Sequence, residues 1–211
     1  IISHGKEIKM TREIKDGKLY FDGCDTTQLA REYGTPLYVM SETDIIERFS
    51  QLRKEFTDKY PKTRVAYACK AFCNMAMLKL CEREGMCIDV VSGGELYTAI
   101  KAGFPAERIE FNGNNKLPEE LSAAIDYGIG RIIVDGIGEL ELIEKICREK
   151  NKKVKVLYRI TPGIKADSHD YIVTGKKDSK FGMPQDEDSL YREVKKALDS
   201  PYVEFLGFHF H

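Results

Sequence analysis

The stretch VAYACKAFCNMAMLKLCEREG, residues 65–85, contains one complete unit of the predicted fold. Its first five residues are mostly apolar, which is typical of a short buried strand, and Lys70 follows directly at the strand end. A helix is then predicted from the capping residue Asn74 to Glu84, because its apolar residues recur at helical spacing and Gly85 ends the pattern. The stretch therefore predicts a strand, a charged strand end and a helix, in that order.

The same unit recurs along the chain. Strands are predicted at residues 65–69, 87–91, 109–111, 132–134, 154–160 and 205–210, and further helices at residues 94–102, 118–127 and 138–150. Apolar strands that alternate with helices are typical of a parallel sheet covered by helices. Two architectures meet this description, an open doubly wound sheet and a closed β/α barrel.

The strand ends favour the barrel. In all six units a polar or charged residue stands at or just after the carboxyl end of the strand: Lys70, Asp89, Asn112, Asp135, Arg159 and His211. The strand ends of a barrel form one ring around a common mouth, where catalytic groups collect. An open sheet brings together only the ends beside its switch point. We therefore expect an α/β fold with a parallel, TIM-like β/α barrel.

The predicted barrel is incomplete. An eight-stranded barrel takes about 250 residues, whereas this chain has 211 residues. We expect it to be the amino-terminal portion of a longer protein, with residues 36–211 supplying the first six or so strands.

Residues 1–35 stand outside the repeat. A strand is predicted at residues 19–23 and a short helix at residues 25–33. The predicted strand lacks an evident partner in this chain, so we expect the segment to pair with a second, carboxyl-terminal β domain. A new strand is then predicted at residues 35–40, followed by a helix that Ser41 caps and that continues to Tyr60.

Composition and charge exclude several classes of protein. The 33 basic and 34 acidic residues give a net charge of −1, which offers no support for a nucleic-acid partner or an anionic membrane surface. No apolar run approaches the roughly 18 residues of a membrane span, and the first residues lack a signal-peptide pattern. We expect a cytoplasmic location. The six cysteines form no C-x-x-C pair, so free thiols are favoured over a disulfide or zinc framework.

Lys70 is the first candidate site residue. A lysine at the end of a buried strand can be partly desolvated, and desolvation favours the neutral amine that attacks a carbonyl to form an imine. The alternative is a surface lysine at a strand terminus, because lysine is rarely buried.

Asp89 and Arg159 are the next candidates. Asp89 lies one predicted strand from Lys70 and could hold charge near its amine; a helix-capping role is the alternative. Arg159 should point into the barrel mouth, where a guanidinium suits a carboxylate, a phosphate or the orientation of Asp89. The alternative for Arg159 is an ion pair within the barrel.

His209 and His211 alternate along one strand and should face the same side. Two such histidines could indicate a metal site. Because no third ligand stands at suitable spacing, we expect no metal.

A polar stretch without apolar periodicity runs over residues 165–184. Loops of this length in compact domains are usually lids or binding loops, although a surface excursion is the alternative. His169, Thr174, Ser179 and Lys180 are its candidate hydrogen-bond donors.

The ordered set of motifs resembles the diaminopimelate decarboxylase family. The strings are YACKA, IDVVSGGEL, FNGNNK, RITPG, TGKKDSKFG and GFHFH, at residues 67–71, 88–96, 111–116, 159–163, 174–182 and 207–211. Members of this family are fold-type III pyridoxal-phosphate enzymes with an alanine-racemase-type β/α barrel and a β domain. One departure follows the lysine: the family usually has Ala-Asn, whereas here Ala71 is followed by Phe72, Cys73 and Asn74.

The resemblance implies roles for the candidate residues. Pyridoxal 5'-phosphate would be held by Lys70 through an imine, and His211 would lie over its pyridine ring. Asp89 and Arg159 would be cofactor-binding residues. The loop residues Thr174, Ser179 and Lys180 would reach over the active site toward the substrate.

The resemblance also implies an activity, the decarboxylation of meso-2,6-diaminopimelate to L-lysine in a homodimer with shared sites. Groups beyond residue 211 would be needed, so this chain alone is expected to be inactive. Two alternatives remain: a related decarboxylase of ornithine, arginine or carboxynorspermidine, and a pyridoxal-phosphate-binding barrel without turnover.

Overall fold

The computed structural model describes residues 11–161, 181–183 and 187–211. The chain divides into two compact units, Ile1–Thr63 and Arg64–His211. The first unit extends beyond the predicted boundary at residue 35. Within the described ranges, no helix is both long enough and apolar enough to cross a membrane.

The first unit contains a small antiparallel sheet. Strands β1 (Arg12–Lys15), β2 (Lys18–Phe21) and β3 (Cys24–Asp25) lie in chain order, and β2 pairs with both neighbours. The expectation that the strand near Tyr20 lacks a partner in this chain is therefore wrong. Asp16 and Gly17 both have positive φ, at 48° and 72°, which is the geometry of a tight hairpin turn.

Two helices follow, α1 (Thr26–Tyr33) and α2 (Glu42–Leu52), and α2 continues as a π-helical turn over Arg53–Thr57. Ser41 caps α2 as predicted, because its Oγ accepts from the backbone N–H of Asp44 at 3.0 Å. The strand predicted at residues 35–40 is not formed. A strand needs a hydrogen-bonded partner, and no described strand pairs with these residues, so Tyr38 is 98% exposed.

The second unit is built on a six-stranded parallel sheet. Its strands are β4 (Ala66–Ala68), β5 (Cys87–Val90), β6 (Ile109–Phe111), β7 (Arg131–Val134), β8 (Val154–Arg159) and β9 (Val203–His209). Each strand pairs in parallel with the next one along the chain. A doubly wound sheet would reverse its order at a switch point. The unreversed order confirms the predicted incomplete β/α barrel.

Helices connect these strands. They are α3 (Met75–Arg83), α4 (Gly93–Lys101), α5 (Pro118–Tyr127), α6 (Glu139–Lys150) and α7 (Glu187–Asp199). The Asn74 side chain caps α3 by accepting from the Met77 N–H at 2.8 Å, and Gly128 ends α5 in the left-handed conformation. The first four agree with the predicted helices, whereas α7 was not predicted.

The two faces of the sheet differ in chemistry. Ile88 and Phe111 are each followed by a polar residue, Asp89 and Asn112, and both are fully buried. The opposite face carries charged side chains in register, including Glu110 and Arg131, whose Oε1 and Nε lie 3.3 Å apart. The polar candidate residues belong to this second face and to the carboxyl ends of its strands.

Candidate functional site

Lys70 lies in a single 3-10 turn, Cys69–Ala71, directly after β4. The Tyr67 hydroxyl donates to the Phe72 carbonyl at 3.0 Å and ties the strand to the residues after the turn. The lysine side chain is exposed rather than partly buried as expected. Because β4 is an edge strand of the sheet, only one of its flanks is covered by another described strand.

Asp89 lies beside Lys70, because β4 and β5 pair with Ala68 opposite Asp89. The pKa of Asp89 is raised to about 6, mainly by burial and also by the charge of Glu110, whereas the Lys70 ammonium acts in the opposite direction. Asn112 hydrogen-bonds the carboxyl group. Among the described residues the buried Oδ1 of Asp89 has no hydrogen-bond partner. The site thus places a readily protonated carboxyl group near an accessible amine.

Arg159 is the last residue of β8 and is buried. Its Nη1 lies 3.4 Å from Asp135 Oδ1, and its guanidinium lies 4.3 Å from the centre of the Phe181 ring. Of the two roles considered from sequence, the structure displays the ion pair within the barrel. The partner of Arg159 is Asp135 rather than Asp89.

The same pair anchors residues 181–183, which belong to the polar stretch predicted at residues 165–184. Asp135 Oδ2 accepts from the Gly182 N–H at 3.0 Å, and Thr161 Oγ1 donates to the Phe181 carbonyl at 2.6 Å. The Met183 N–H also donates to the Arg159 carbonyl at 2.8 Å. Residues 181–183 are therefore fixed against the end of β8.

His209 and His211 face the same mouth, with ring centres 5.0 Å apart and planes inclined at 73°. The pKa of His209 is lowered to about 4, mainly by burial and also by His211 and the charge of Arg159. His211 is exposed; partial burial, Arg159 and Lys70 all lower its pKa. Both imidazoles are therefore neutral at neutral pH.

Two of the site residues follow the outer strands of the sheet. Lys70 follows β4 and His211 follows β9, the two outermost strands. The charge of Lys70 nevertheless lowers the pKa of both His211 and Asp89. Since such effects weaken with distance, the Lys70 ammonium lies near both groups.

Asn112 and Asp135 are site residues to which sequence reasoning gave no role. Asn112 hydrogen-bonds Asp89, and its Nδ2 lies 3.4 Å from His209 Nε2. Asp135 holds Arg159 and Gly182. Both stand at strand ends, so the rule that identified the other candidates also marks them.

The remaining predicted residues, His169, Thr174, Ser179 and Lys180, lie outside the described residues. In the part of the chain that the structure describes, no group of three or more His, Cys, Asp or Glu side chains could hold a metal ion.

Comparison with known proteins identifies the family. The profile of the pyridoxal-dependent decarboxylases, pyridoxal binding domain, matches residues 42–211. The chain is 49% identical to the diaminopimelate decarboxylase of Bacillus methanolicus over 95% of its own length and 46% of that relative. The Bacillus subtilis enzyme is 48% identical with the same coverage. The chain thus spans about half the length of the curated relatives it matches.

Solved structures agree. The diaminopimelate decarboxylase of Methanocaldococcus jannaschii in complex with L-lysine superposes with a TM-score of 0.85 at 40% identity, over 95% of this chain and 47% of that one. The Helicobacter pylori enzyme, also with L-lysine, gives 0.80 at 33% identity, over 89% and 46%. The profile match covers most of the chain, and the lysine, carboxylate and histidine of the chain stand at the ends of its strands. The chain therefore belongs to the pyridoxal-dependent decarboxylase family and corresponds to its pyridoxal-binding domain.

Proposed function

We propose that Lys70 holds pyridoxal 5'-phosphate covalently and that the whole protein decarboxylates meso-2,6-diaminopimelate to L-lysine. The observation that carries the proposal is the meeting of Lys70, Asp89 and His211 at one mouth, although β4 and β9 are the outer strands of the sheet. The likeness to named diaminopimelate decarboxylases supports it.

The residues present fit such a cofactor. Lys70 offers an exposed amine that can form a covalent bond with an aldehyde. Asp89 Oδ1 and His209 Nδ1 are buried polar atoms without a partner in the described ranges, and both lie on the same side of the sheet. When bound, pyridoxal phosphate supplies the electron sink for the loss of a carboxylate as carbon dioxide.

Asp89 holds or releases a proton beside the amine. Lys70 has to lose a proton before its nitrogen can bond to carbon. Because the pKa of Asp89 is about 6, its carboxyl group changes protonation state close to neutral pH. The nearby Lys70 charge lowers the pKa of this carboxyl group and so favours its charged form.

Arg159 and His211 orient what enters the mouth. Asp135 and Phe181 hold the Arg159 guanidinium from two sides, so its positive charge is fixed in place. That charge helps to keep His211 neutral. A neutral imidazole is a flat ring that can stack on an aromatic cofactor.

The loop supplies substrate contacts in our proposal. Thr174, Ser179 and Lys180 precede the segment 181–183, which Asp135 and Arg159 hold at the end of β8. We further propose that residues 1–35 pair with a second β domain and that the whole protein is a cytoplasmic homodimer.

The alternatives are a decarboxylase of ornithine, arginine or carboxynorspermidine and a binding protein without turnover. The test is carbon dioxide release by the full-length protein with each amino acid in turn. We expect release from meso-2,6-diaminopimelate, with L-lysine as the product. Preferred release from another substrate would overturn the substrate assignment, and no release from any of them would favour the binding protein.

A further inference from the structure

Asn112 contacts His209 from a fixed position. It stands directly after β6 and is buried, and its backbone N–H donates to the Val90 carbonyl at 2.8 Å. Its Nδ2 lies 3.4 Å from Nε2 of His209, which stands 97 residues later at the end of β9. The His209 carbonyl accepts from the Ile160 N–H at 2.8 Å. The contact therefore joins two side chains whose backbones are both held in place by hydrogen bonds.

The backbone determines which end of the Asn112 amide faces His209. The N–H of Gly113 donates to Asn112 Oδ1 at 2.9 Å. A backbone N–H only donates, so the atom that it contacts is the amide oxygen and not the amide nitrogen. The other end, Nδ2, is therefore the end that faces His209. An amide NH₂ group only donates hydrogen bonds.

This orientation determines which nitrogen of His209 carries the proton. If Nε2 carried a hydrogen, two donor groups would face each other across 3.4 Å. Nε2 must instead accept from Asn112, which leaves the proton of the neutral ring on Nδ1. The pKa of His209 is lowered to about 4, mainly by burial, so the ring carries a single proton at neutral pH.

The Nδ1–H group of His209 is then a buried donor. Nδ1 is enclosed by protein and has no hydrogen-bond partner among the described residues. A buried donor is costly unless an oxygen accepts from it. The rings of His209 and His211 have their centres 5.0 Å apart. A molecule that covers the His211 ring therefore also comes close to the His209 ring.

We propose that Asn112 is a positioning residue that fixes the proton of His209 on Nδ1, and that this N–H donates to an oxygen of the ligand in the mouth. The first part depends only on contacts within this chain. The second part rests on the proposed function, in which the ligand is the cofactor or the amino acid that reacts with it. Both molecules carry anionic oxygens, and the experiment below distinguishes them.

The first experiment determines the position of the proton in the cofactor-free, full-length protein. Protonated and unprotonated nitrogens of a neutral imidazole give well-separated nitrogen-15 resonances, so NMR of histidine-labelled protein reports the tautomer directly. His209→Gln identifies the resonances by their loss. We expect a proton on Nδ1 of His209 at neutral pH. A proton on Nε2, or a mixture of the two forms, would overturn the proposal.

Two variants test whether Asn112 is responsible. Asn112→Asp keeps an oxygen for the Gly113 N–H and places an acceptor opposite Nε2, so the proton should move to Nε2. Asn112→Leu removes the donor, so the Nε2–H form should appear. Asn114→Asp, an exposed change in the same loop, adds the same charge and should leave the proton on Nδ1. An unmoved proton in both Asn112 variants would overturn its positioning role.

The second experiment adds pyridoxal phosphate and then L-lysine to the full-length protein and follows the Nδ1 proton of His209. A downfield shift and slower exchange with water on adding pyridoxal phosphate would assign the accepting oxygen to the cofactor. The same change only after L-lysine is added would assign it to the amino acid. No change with either, in protein whose absorbance shows bound cofactor, would overturn donation to the ligand.

The two proposals fail in different ways. Protein that binds no pyridoxal phosphate would overturn the proposed function, and with it the donation to a ligand. The role of Asn112 would still be decided by the tautomer of His209, because that measurement needs no cofactor.

Discussion

The pKa values of Asp89 and His209 are shifted in opposite directions, although Asn112 contacts both side chains. Burial favours the neutral form of each group, so the pKa of Asp89 rises to about 6 and that of His209 falls to about 4. The folded protein therefore holds the Asp89 proton over a pH range in which it excludes a proton from His209. Near pH 5 the two groups therefore affect stability in opposite ways. As the pH rises, the contribution of Asp89 to the free energy of unfolding falls and that of His209 increases.

Asp89→Asn should stabilise the protein at neutral pH and not in acid. Unfolded Asp89 loses its proton near pH 4, whereas the folded group retains it to about pH 6. The contribution of Asp89 to the parent's free energy of unfolding thus falls as pH rises through this window, by up to roughly 3 kcal/mol. The variant should be more stable by up to that amount at pH 7.5 and similar to the parent at pH 4.

Urea denaturation of the cofactor-free protein at pH 4 and pH 7.5 measures the difference in unfolding free energy between the variant and the parent. Asp188→Asn, a change of an exposed carboxyl on α7, is the matched control and should have little effect at either pH. An Asp89→Asn effect of equal size at pH 4 and pH 7.5 would contradict the raised pKa.

His211→Ala should weaken cofactor retention several-fold without preventing attachment to Lys70. The variant loses a flat ring at the mouth and leaves the amine in place. His211→Phe should restore retention, because it keeps a ring that can stack. Dialysis followed by absorbance measures the retained cofactor. If His211→Ala retains it as well as the parent, ring stacking by this side chain is wrong.

For single residues, the sequence predicts where a site residue stands in the fold better than it predicts which side chain that residue contacts. The strand-end rule identified Lys70, Asp89 and His211, because the carboxyl ends of parallel strands meet. It did not give the ion pair of Arg159 with Asp135, since side-chain direction depends on packing across strands far apart in sequence. Nor did it give the exposure of Lys70, which depends on what covers the flank of β4.

At the level of the β/α element, carboxylates on the helices hold the strand ends. Glu95 Oε2 accepts from the Val91 N–H at 2.7 Å, and Glu139 Oε2 accepts from the Asp135 N–H at 2.9 Å. In both cases the glutamate stands four residues after the amide, in the first turn of its helix. Each bond satisfies a backbone donor of the loop at a helix amino terminus, where negative charge is favoured. The second bond also steadies the residue that holds Arg159.

Lys116 fixes the neighbouring loop from inside. Its Nζ donates to the carbonyls of Gly113 and Ile133 at 2.8 and 2.6 Å and lies 2.6 Å from Glu139 Oε1, with a side chain only 1% exposed. Lys116→Met should therefore cost about 3–5 kcal/mol of unfolding free energy, because it leaves a largely buried carboxylate without its cation.

Lys145→Met is the matched control for that change. Lys145 is exposed on α6, so its replacement should change stability by less than about 0.5 kcal/mol. Chemical denaturation compares the two variants. Equal stabilities would contradict a structural role for the Lys116 and Glu139 pair.

The regular elements of the second unit were the most predictable part of the fold. Their strands are short apolar runs, and their helices carry caps such as Asn74, so local signals agree with the packing. The elements of the first unit were less predictable. Asp16-Gly17 is a direct hairpin signal in the sequence, whereas residues 35–40 have the composition of a strand but no described partner.

Across the whole molecule, β4 and β9 are the outer strands of the described sheet. Their outer flanks carry unpaired backbone groups, and Leu206 and Phe208 on β9 are 42% and 46% exposed. Exposed parallel edges of this kind promote association. The relatives are about twice as long as this chain.

The isolated 211-residue chain should therefore associate rather than persist as a stable monomer, and it should release no carbon dioxide from meso-2,6-diaminopimelate. Sedimentation velocity and thermal unfolding measure the first expectation, and the carbon dioxide assay measures the second. A monomer with a cooperative transition at ordinary melting temperatures would contradict our view of the open edges.

The central claim is that Lys70 is the covalent anchor of the cofactor. Borohydride reduction of the full-length protein loaded with pyridoxal phosphate makes the bond permanent, and peptide mass spectrometry then locates it. We predict one modified residue, Lys70, and no stable label in Lys70→Ala. A label on any other lysine, or undiminished labelling of Lys70→Ala, would contradict the account.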